Sequence, residues 1–173
     1  MVPLSLDELQ TAPFRFTASG HLNAPSSRVF AELGDPSRWF PLMSTCSWHG
    51  RIGGVGSVRE VRVRLFGTFR ETMLAWDEAG SGRARVAFTM TETSSPLVAR
   101  MGEDFTLTPE LAGVRLDWTL AAVLTAVGKP VAPVLRQIVR RMFAAYRPRL
   151  ERAAAASPVG EPAPAPLHGT PDS

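Results

Sequence analysis

Near its C-terminal end the chain places Leu135, Ile138, Val139, Met142, Phe143, Tyr146 and Leu150 at helical spacing. At about 100° per residue these side chains fall within one arc, whereas Arg136, Arg140, Arg141 and Arg152 fall outside it. A long helix with so broad an apolar face has to bury it against another layer of structure. What precedes it is a series of short alternating segments, so that layer must be a sheet.

The alternation has the period of a strand. Phe14, Phe16, Ala18 and Leu22 share one face of residues 14–22, with Arg15, Thr17, Ser19 and His21 on the other. Residues 83–91 set Ala84, Val86, Phe88 and Met90 against Arg85, Ala87 and Thr89. Residues 114–122 set Val114, Leu116, Trp118 and Leu120 against Arg115, Asp117 and Thr119. Further strands are expected at 45–51, 57–65, 68–77 and 103–108. Turn residues separate them: Gly53-Gly54-Val55-Gly56, Gly67, Gly80-Ser81-Gly82, Ser94-Ser95-Pro96, and the run from Pro109 to Gly113. Six or seven strands in series with hairpin-length turns predict an antiparallel sheet. Such a sheet twists and curves, and one helix laid against it leaves an apolar space between.

Ser5-Leu6-Asp7-Glu8 fits a capping box, so a short helix or turn is expected ahead of the first strand. Two short helices should follow that strand. Pro25 opens the first, which buries Val29, Phe30 and Leu33 and ends at Gly34. Asp35 caps the second, with Pro36 at its first position and Pro41 closing it. Pro148 lacks an amide donor and is expected to kink or terminate the last helix, and Arg149, which would otherwise enter the apolar arc, fits a change of direction there. The expected division is an extension at 1–13, a ligand-binding domain at 14–155, and a Pro/Ala-rich tail at 156–173 too poor in apolar side chains to build a core.

The string Ala24-Pro25-Ser26-Ser27-Arg28-Val29-Phe30-Ala31-Glu32-Leu33, followed by Asp35-Pro36-Ser37-Arg38-Trp39, resembles the opening of the polyketide cyclase/dehydrase and lipid transport superfamily (SRPBCC, also called START-like or Bet v 1-like). Ala75-Trp76-Asp77 and Gly113-Val114-Arg115-Leu116-Asp117-Trp118-Thr119-Leu120 are similar to its middle and last strands. The resemblance covers roughly residues 14–155 and rests on structural motifs. It implies the helix-grip fold, an α+β arrangement in which a curved antiparallel sheet of six to seven strands surrounds a long C-terminal helix. Members bind lipids, sterols, plant hormones and polyketides, and some are cyclases or aromatases. The resemblance carries no family-wide catalytic motif. It also implies that the glycine-rich loop at 53–56 lies near the pocket entrance.

No run of eighteen apolar residues is present to span a membrane. The N-terminus has neither a basic n-region nor an apolar h-region, so a cytoplasmic protein is expected. Cys46 is the only cysteine, which excludes an internal disulfide and a cysteine metal cluster. The three histidines are expected to hold no metal: His21 lies on a polar strand face, His168 in the tail, and His49 beside a glycine-rich turn, and no HExxH pair occurs. Gly53-Gly54-Val55-Gly56 lacks the lysine of a phosphate loop and sits between strands. No cofactor is expected. Formal charge is only +3, but residues 134–152 hold six arginines against one glutamate. That face could contact anionic lipid or nucleic acid, or simply be solvated. The absence of interleaved aromatics disfavours nucleic acid. The pattern specifies no oligomeric state.

Trp39, Phe88, Met90, Phe105, Trp118, Ile138, Met142 and Tyr146 are the candidate lining of a pocket for a small apolar ligand, set against the plain alternative that they are ordinary core. Three polar side chains are candidates for catalysis. Glu103 shares parity with Phe105 and Leu107; turned inward it would be an acid or base, whereas at a strand end it would reach solvent or an arginine. Tyr146 could orient a ligand oxygen or bond to a backbone carbonyl. Arg70 could hold a carbonyl or carboxylate if turned inward, and its neighbours leave its face undecided. The leading function is binding of an apolar or amphipathic molecule; the alternative is a polyketide cyclase, aromatase or dehydratase using the same space.

Overall fold

The computed structural model describes residues 1–64, 66–78 and 82–156. Residues 157–173 of the expected tail, and Gly80 and Ser81 of one expected turn, lie outside them, while Ala156, expected in the tail, is the last residue of the C-terminal helix. The elements are α1 (Leu6–Thr11), β1 (Phe14–Leu22), α2 (Ser26–Gly34), β2 (Met43–His49), β3 (Val58–Val63), β4 (Gly67–Asp77), β5 (Ala84–Thr93), β6 (Val98–Glu110), β7 (Gly113–Leu124) and α3 (Ala132–Ala156). Short 3-10 turns at Pro36–Arg38 and Lys129–Val131 precede β2 and α3.

The seven strands form one antiparallel sheet in the order β1-β7-β6-β5-β4-β3-β2. Each strand from β2 to β7 pairs with its neighbour in sequence, while β1 crosses to pair with β7, from Phe14 opposite Ala122 to Leu22 opposite Val114. The alternating pattern assigns the faces. Phe16, Phe88, Met90, Phe105, Trp118 and Leu120 are all buried on the inner face, where α2 and α3 cover the sheet. Asp35 accepts from the Ser37 amide at 3.2 Å, which makes Pro36–Arg38 a capped turn as its sequence predicts.

The segment at residues 1–13 is packed onto the outer face of the sheet. Ser5 and Glu8 form the capping box, with Oγ of Ser5 accepting from the Glu8 amide at 3.2 Å and the Glu8 carboxylate accepting from the Ser5 amide at 2.9 Å. Leu4 and Leu9 bury themselves against Ala75, Ala87 and Ala121 in a second, smaller core. The helix can sit this close because Gly102 has no side chain: a Cβ there would lie 2.7 Å from Leu9 Cδ2 and 2.6 Å from the Phe88 carbonyl oxygen.

Several expected boundaries shift. β6 begins at Val98 instead of residue 103, and a register shift between Val98 and Arg100 lets its first residues pair with β7 as far as Leu124. β2 lies at Met43–His49 instead of 45–51. The largest correction concerns Pro148, which does not end α3: the helix runs for 25 residues through it to Ala156. Ala144, whose carbonyl loses its intrahelical donor, is solvent-exposed, so water can satisfy it. Beyond the proline, Leu150 and Ala154 are fully buried. That burial holds the last turns in place against the local preference. Arg149 is exposed.

Candidate functional site

Between the inner face of the sheet and α3 lies a cavity of about 190 Å³. Its existence follows from the packing. The apolar arc of α3 does not seat uniformly: Val139 and Leu150 are buried, whereas Leu135, Met142, Phe143 and Tyr146 are only half-buried and Ile138 is exposed, although all seven face this space. The sheet curves away from the helix, and the side chains between them fill the space only in part.

An aromatic row crosses the cavity wall. Phe88 of β5 and Phe105 of β6 stack with ring centroids 6.2 Å apart; Phe105 and Trp118 of β7 stack at 6.0 Å; Trp118 and Phe143 of α3 stack at 5.5 Å. Strand pairing sets the spacing, since Phe105 lies directly opposite Trp118. Trp39, Phe88, Met90, Phe105, Trp118, Ile138, Met142 and Tyr146, the eight apolar candidates, all line the cavity. Trp39 is fixed there by its indole N–H, which donates to the Glu32 carbonyl at 2.7 Å.

Two of the three polar candidates also reach the cavity. Glu103 lies well inside β6, opposite Phe88 and Leu120, instead of at a strand end. Nε1 of Trp118 donates to its Oε2 at 2.8 Å, and Oε1 has no partner among the described residues. What surface Glu103 retains faces the cavity. Desolvation, reinforced by the nearby Glu71 charge, pushes its pKa up to about 8, against the opposing pull of the Trp118 hydrogen bond and Arg59. Tyr146 meets the edge of Phe40 at 4.4 Å; its hydroxyl has no hydrogen-bond partner among the described residues, so the expected carbonyl bond is absent there. Arg70 lies elsewhere, on the opposite side of β4, half-exposed and paired with Glu92 at 3.3 Å.

The polar centre that sequence reasoning missed is Arg59 with Glu71. They sit opposite one another on β3 and β4, both almost completely buried, with Arg59 Nε 2.6 Å from Glu71 Oε2. Arg59 also donates to the carbonyls of Leu33 and Gly34 at the end of α2, at 2.9 and 3.2 Å, and its guanidinium lies 4.9 Å over the Phe88 ring. Burial raises the pKa of Glu71, with Arg59 pulling it back. The sequence signal was present. Arg59 shares parity with Val61 and Val63, and Glu71 with Phe69 and Met73, all of them buried.

Two further expectations change. The loop at 50–56 contributes no residue to the cavity wall; it packs at the far side of the inner face, where Gly53, at φ 71°, leaves room for Trp76. A Cβ on Gly53 would lie 2.7 Å from that indole. The arginine face of α3 is partly structural: Arg136 donates to the Arg15 carbonyl and lies 5.3 Å over Phe14, and Arg147 donates to the His21 carbonyl, so both brace α3 to β1. His21 bonds to Glu110 and Asn23, and His49 is exposed at the end of β2. Among the described residues no group of three or more His, Cys, Asp or Glu side chains is placed to hold a metal, and no helix is long and apolar enough to cross a membrane.

A curved seven-stranded antiparallel sheet gripping one long C-terminal helix over an apolar cavity defines a helix-grip protein of the START-like, Bet v 1-like class. The family model described as polyketide cyclase / dehydrase and lipid transport matches residues 13–157, and the chain belongs to that family. An uncharacterized protein of Mycobacterium tuberculosis, Rv2574, is 26% identical over 153 residues, covering 86% of this chain and 89% of its own length. Among solved structures, the ZhuI aromatase/cyclase of Streptomyces sp. R1128 superposes with a TM-score of 0.66 at 19% identity, over 82% of this chain and 93% of that one. Ara h 8.0201 superposes with a TM-score of 0.61 at 14% identity, over 83% and 98%. These structural likenesses establish the fold.

Proposed function

We propose that this protein binds a small, largely apolar molecule in the cavity between the sheet and α3. The observation that carries the reading is the unfilled space itself, walled by a stacked aromatic row and by methionines, with only a few polar side chains reaching it. Burying roughly 300 Å² of ligand surface would contribute about 7 kcal/mol. Association costs consume much of that, so micromolar affinity is expected. Membership of a family that takes its name in part from lipid transport supports the reading. Native mass spectrometry of gently purified protein, with titration of a fluorescent apolar probe, tests it: saturable one-to-one binding is expected, and a folded protein that takes up neither an endogenous compound nor any probe sinks it.

A second reading is favoured by one observation. The Glu103 carboxyl faces the cavity with a pKa of about 8, close to the pH at which an acid–base group is most effective. A cyclase or dehydratase working on a polyketide-like chain would use the apolar wall to fold the substrate and Glu103 to pass protons. The likeness of fold to an aromatase/cyclase is consistent with this. It is tested by comparing the products of a poly-β-ketone substrate with and without the protein.

A further inference from the structure

The most deeply buried charges in the cavity wall, Arg59 and Glu71, are matched to one another. Arg59 faces Glu71 and two backbone carbonyls, so its positive charge is spent inside the protein. Arg147, the other cation at the wall, donates to the His21 carbonyl. An anionic ligand would have to enter a wall that also holds Glu71 and Glu103, and among the described residues the one lining cation without a carboxylate partner, Arg147, already gives an N–H to a backbone carbonyl. A cationic ligand would need Glu103 to be ionised in an apolar wall beside Glu71, with the Arg59 guanidinium already shared. Glu103 itself is held asymmetrically. Trp118 occupies Oε2 as a donor, which makes that oxygen the acceptor of the acid and leaves Oε1 to carry the proton toward the cavity.

Resting on the cavity-binding reading, we propose that the ligand is a neutral aromatic compound of one or two rings bearing an acceptor oxygen of the ketone type, its rings along Phe88, Phe105 and Trp118 and its oxygen accepting from Glu103. The size fits. A dry cavity of about 150 Å³ admits benzene, and this one is about 190 Å³. The raised pKa of Glu103 supports the assignment, since the donor form then persists through neutral pH. The titratable and charged groups that line the cavity around Glu103, among the described residues, are Arg59 on β3, Glu71 on β4, and Tyr146 and Arg147 on α3; β5 and β7 present only apolar side chains and the Trp118 indole.

The test uses three matched probes, acetylnaphthalene, ethylnaphthalene and naphthylethylamine, titrated into the full-length protein by calorimetry at pH 6.5 and 9.5. At pH 6.5 the ketone should bind about three- to tenfold more tightly than the hydrocarbon, as one hydrogen bond predicts. The preference should fade at pH 9.5, above the Glu103 pKa. Glu103→Leu, an apolar side chain of similar size, should abolish it at both values. Glu103→Gln, which keeps a donor and cannot titrate, should retain it at both. Equal affinity for ketone and hydrocarbon in the unmodified protein, a preference that survives in Glu103→Leu, or tightest binding of the amine would each overturn the proposal. Failure of all three probes to bind would overturn the cavity-binding reading, and the proposal with it.

Discussion

Glu103 carries the sharpest consequence at the scale of a single residue. Its pKa rises from an ordinary 4.5 to about 8 on folding. Between those values the folded protein holds a proton that the unfolded chain has released, so the group's contribution to stability is complete below about pH 4.5 and is lost as pH rises through 8. Glu103→Gln keeps an acceptor for the Trp118 N–H and removes the titration. Its stability relative to the unmodified protein should be near zero at pH 4.5 and favour the variant by on the order of a few kcal/mol at pH 9. Urea unfolding at a series of pH values measures this, and two parallel profiles would show that Glu103 is not the buried acid. The inward position of Glu103 was legible from its parity with Phe105 and Leu107. Its retention of a proton was not, because that depends on desolvation in the assembled protein and on the Glu71 charge from β4, which together outweigh the hydrogen bond from Trp118, and none of these is local in sequence.

At the scale of elements, α3 shows local preference giving way to packing. Its periodicity was visible over Leu135 to Leu150, but proline chemistry argued for a break at 148 that does not occur. The two turns beyond are held by Leu150 and Ala154 in the core and by the bond from Arg147 to β1. The proline still leaves the Ala144 carbonyl without its helical donor, so Pro148→Ala should raise stability by about 1–3 kcal/mol. Thermal or urea unfolding checks this; an unchanged or lower midpoint would show that the fixed proline dihedral, not the lost hydrogen bond, dominates. β6 erred the other way: the break at Ser94-Ser95-Pro96 suggested a late start, yet the strand begins at Val98 because β7 offers partners as far as Leu124. Strand length is set by the neighbour as much as by the strand.

For the whole molecule, the decisive property is a space that no single element encodes. Sheet curvature leaves space between much of the aromatic row and α3, which meet where Trp118 stacks on Phe143. A larger side chain grown into that space should then cost little. Met142→Trp, from the cavity side of α3, is expected to hold or raise the unfolding midpoint while weakening apolar probe binding at least tenfold, because added contacts replace void. Thermal unfolding and fluorescence titration read the two effects separately. Loss of stability without loss of binding would mean that the probe sits elsewhere.

What the sequence determined by itself was whatever depends on period and local chemistry. That includes the strand faces, the capping box at Ser5, the capped turn at Asp35, the amphipathic C-terminal helix, and hence the fold and the eight apolar residues that line the cavity. These are legible because the buried side of an element repeats along the chain. Tertiary structure alone decided the polar centre. Arg59 and Glu71 are ordinary charged residues in two strands until the register of β3 and β4 sets them 2.6 Å apart and α2 brings its last carbonyls to them. Arg70, one residue away from Glu71, is turned out to Glu92 by the same pleat. The inward-facing charge becomes affordable only when partners from distant segments converge on it, and that convergence is a property of the assembled sheet.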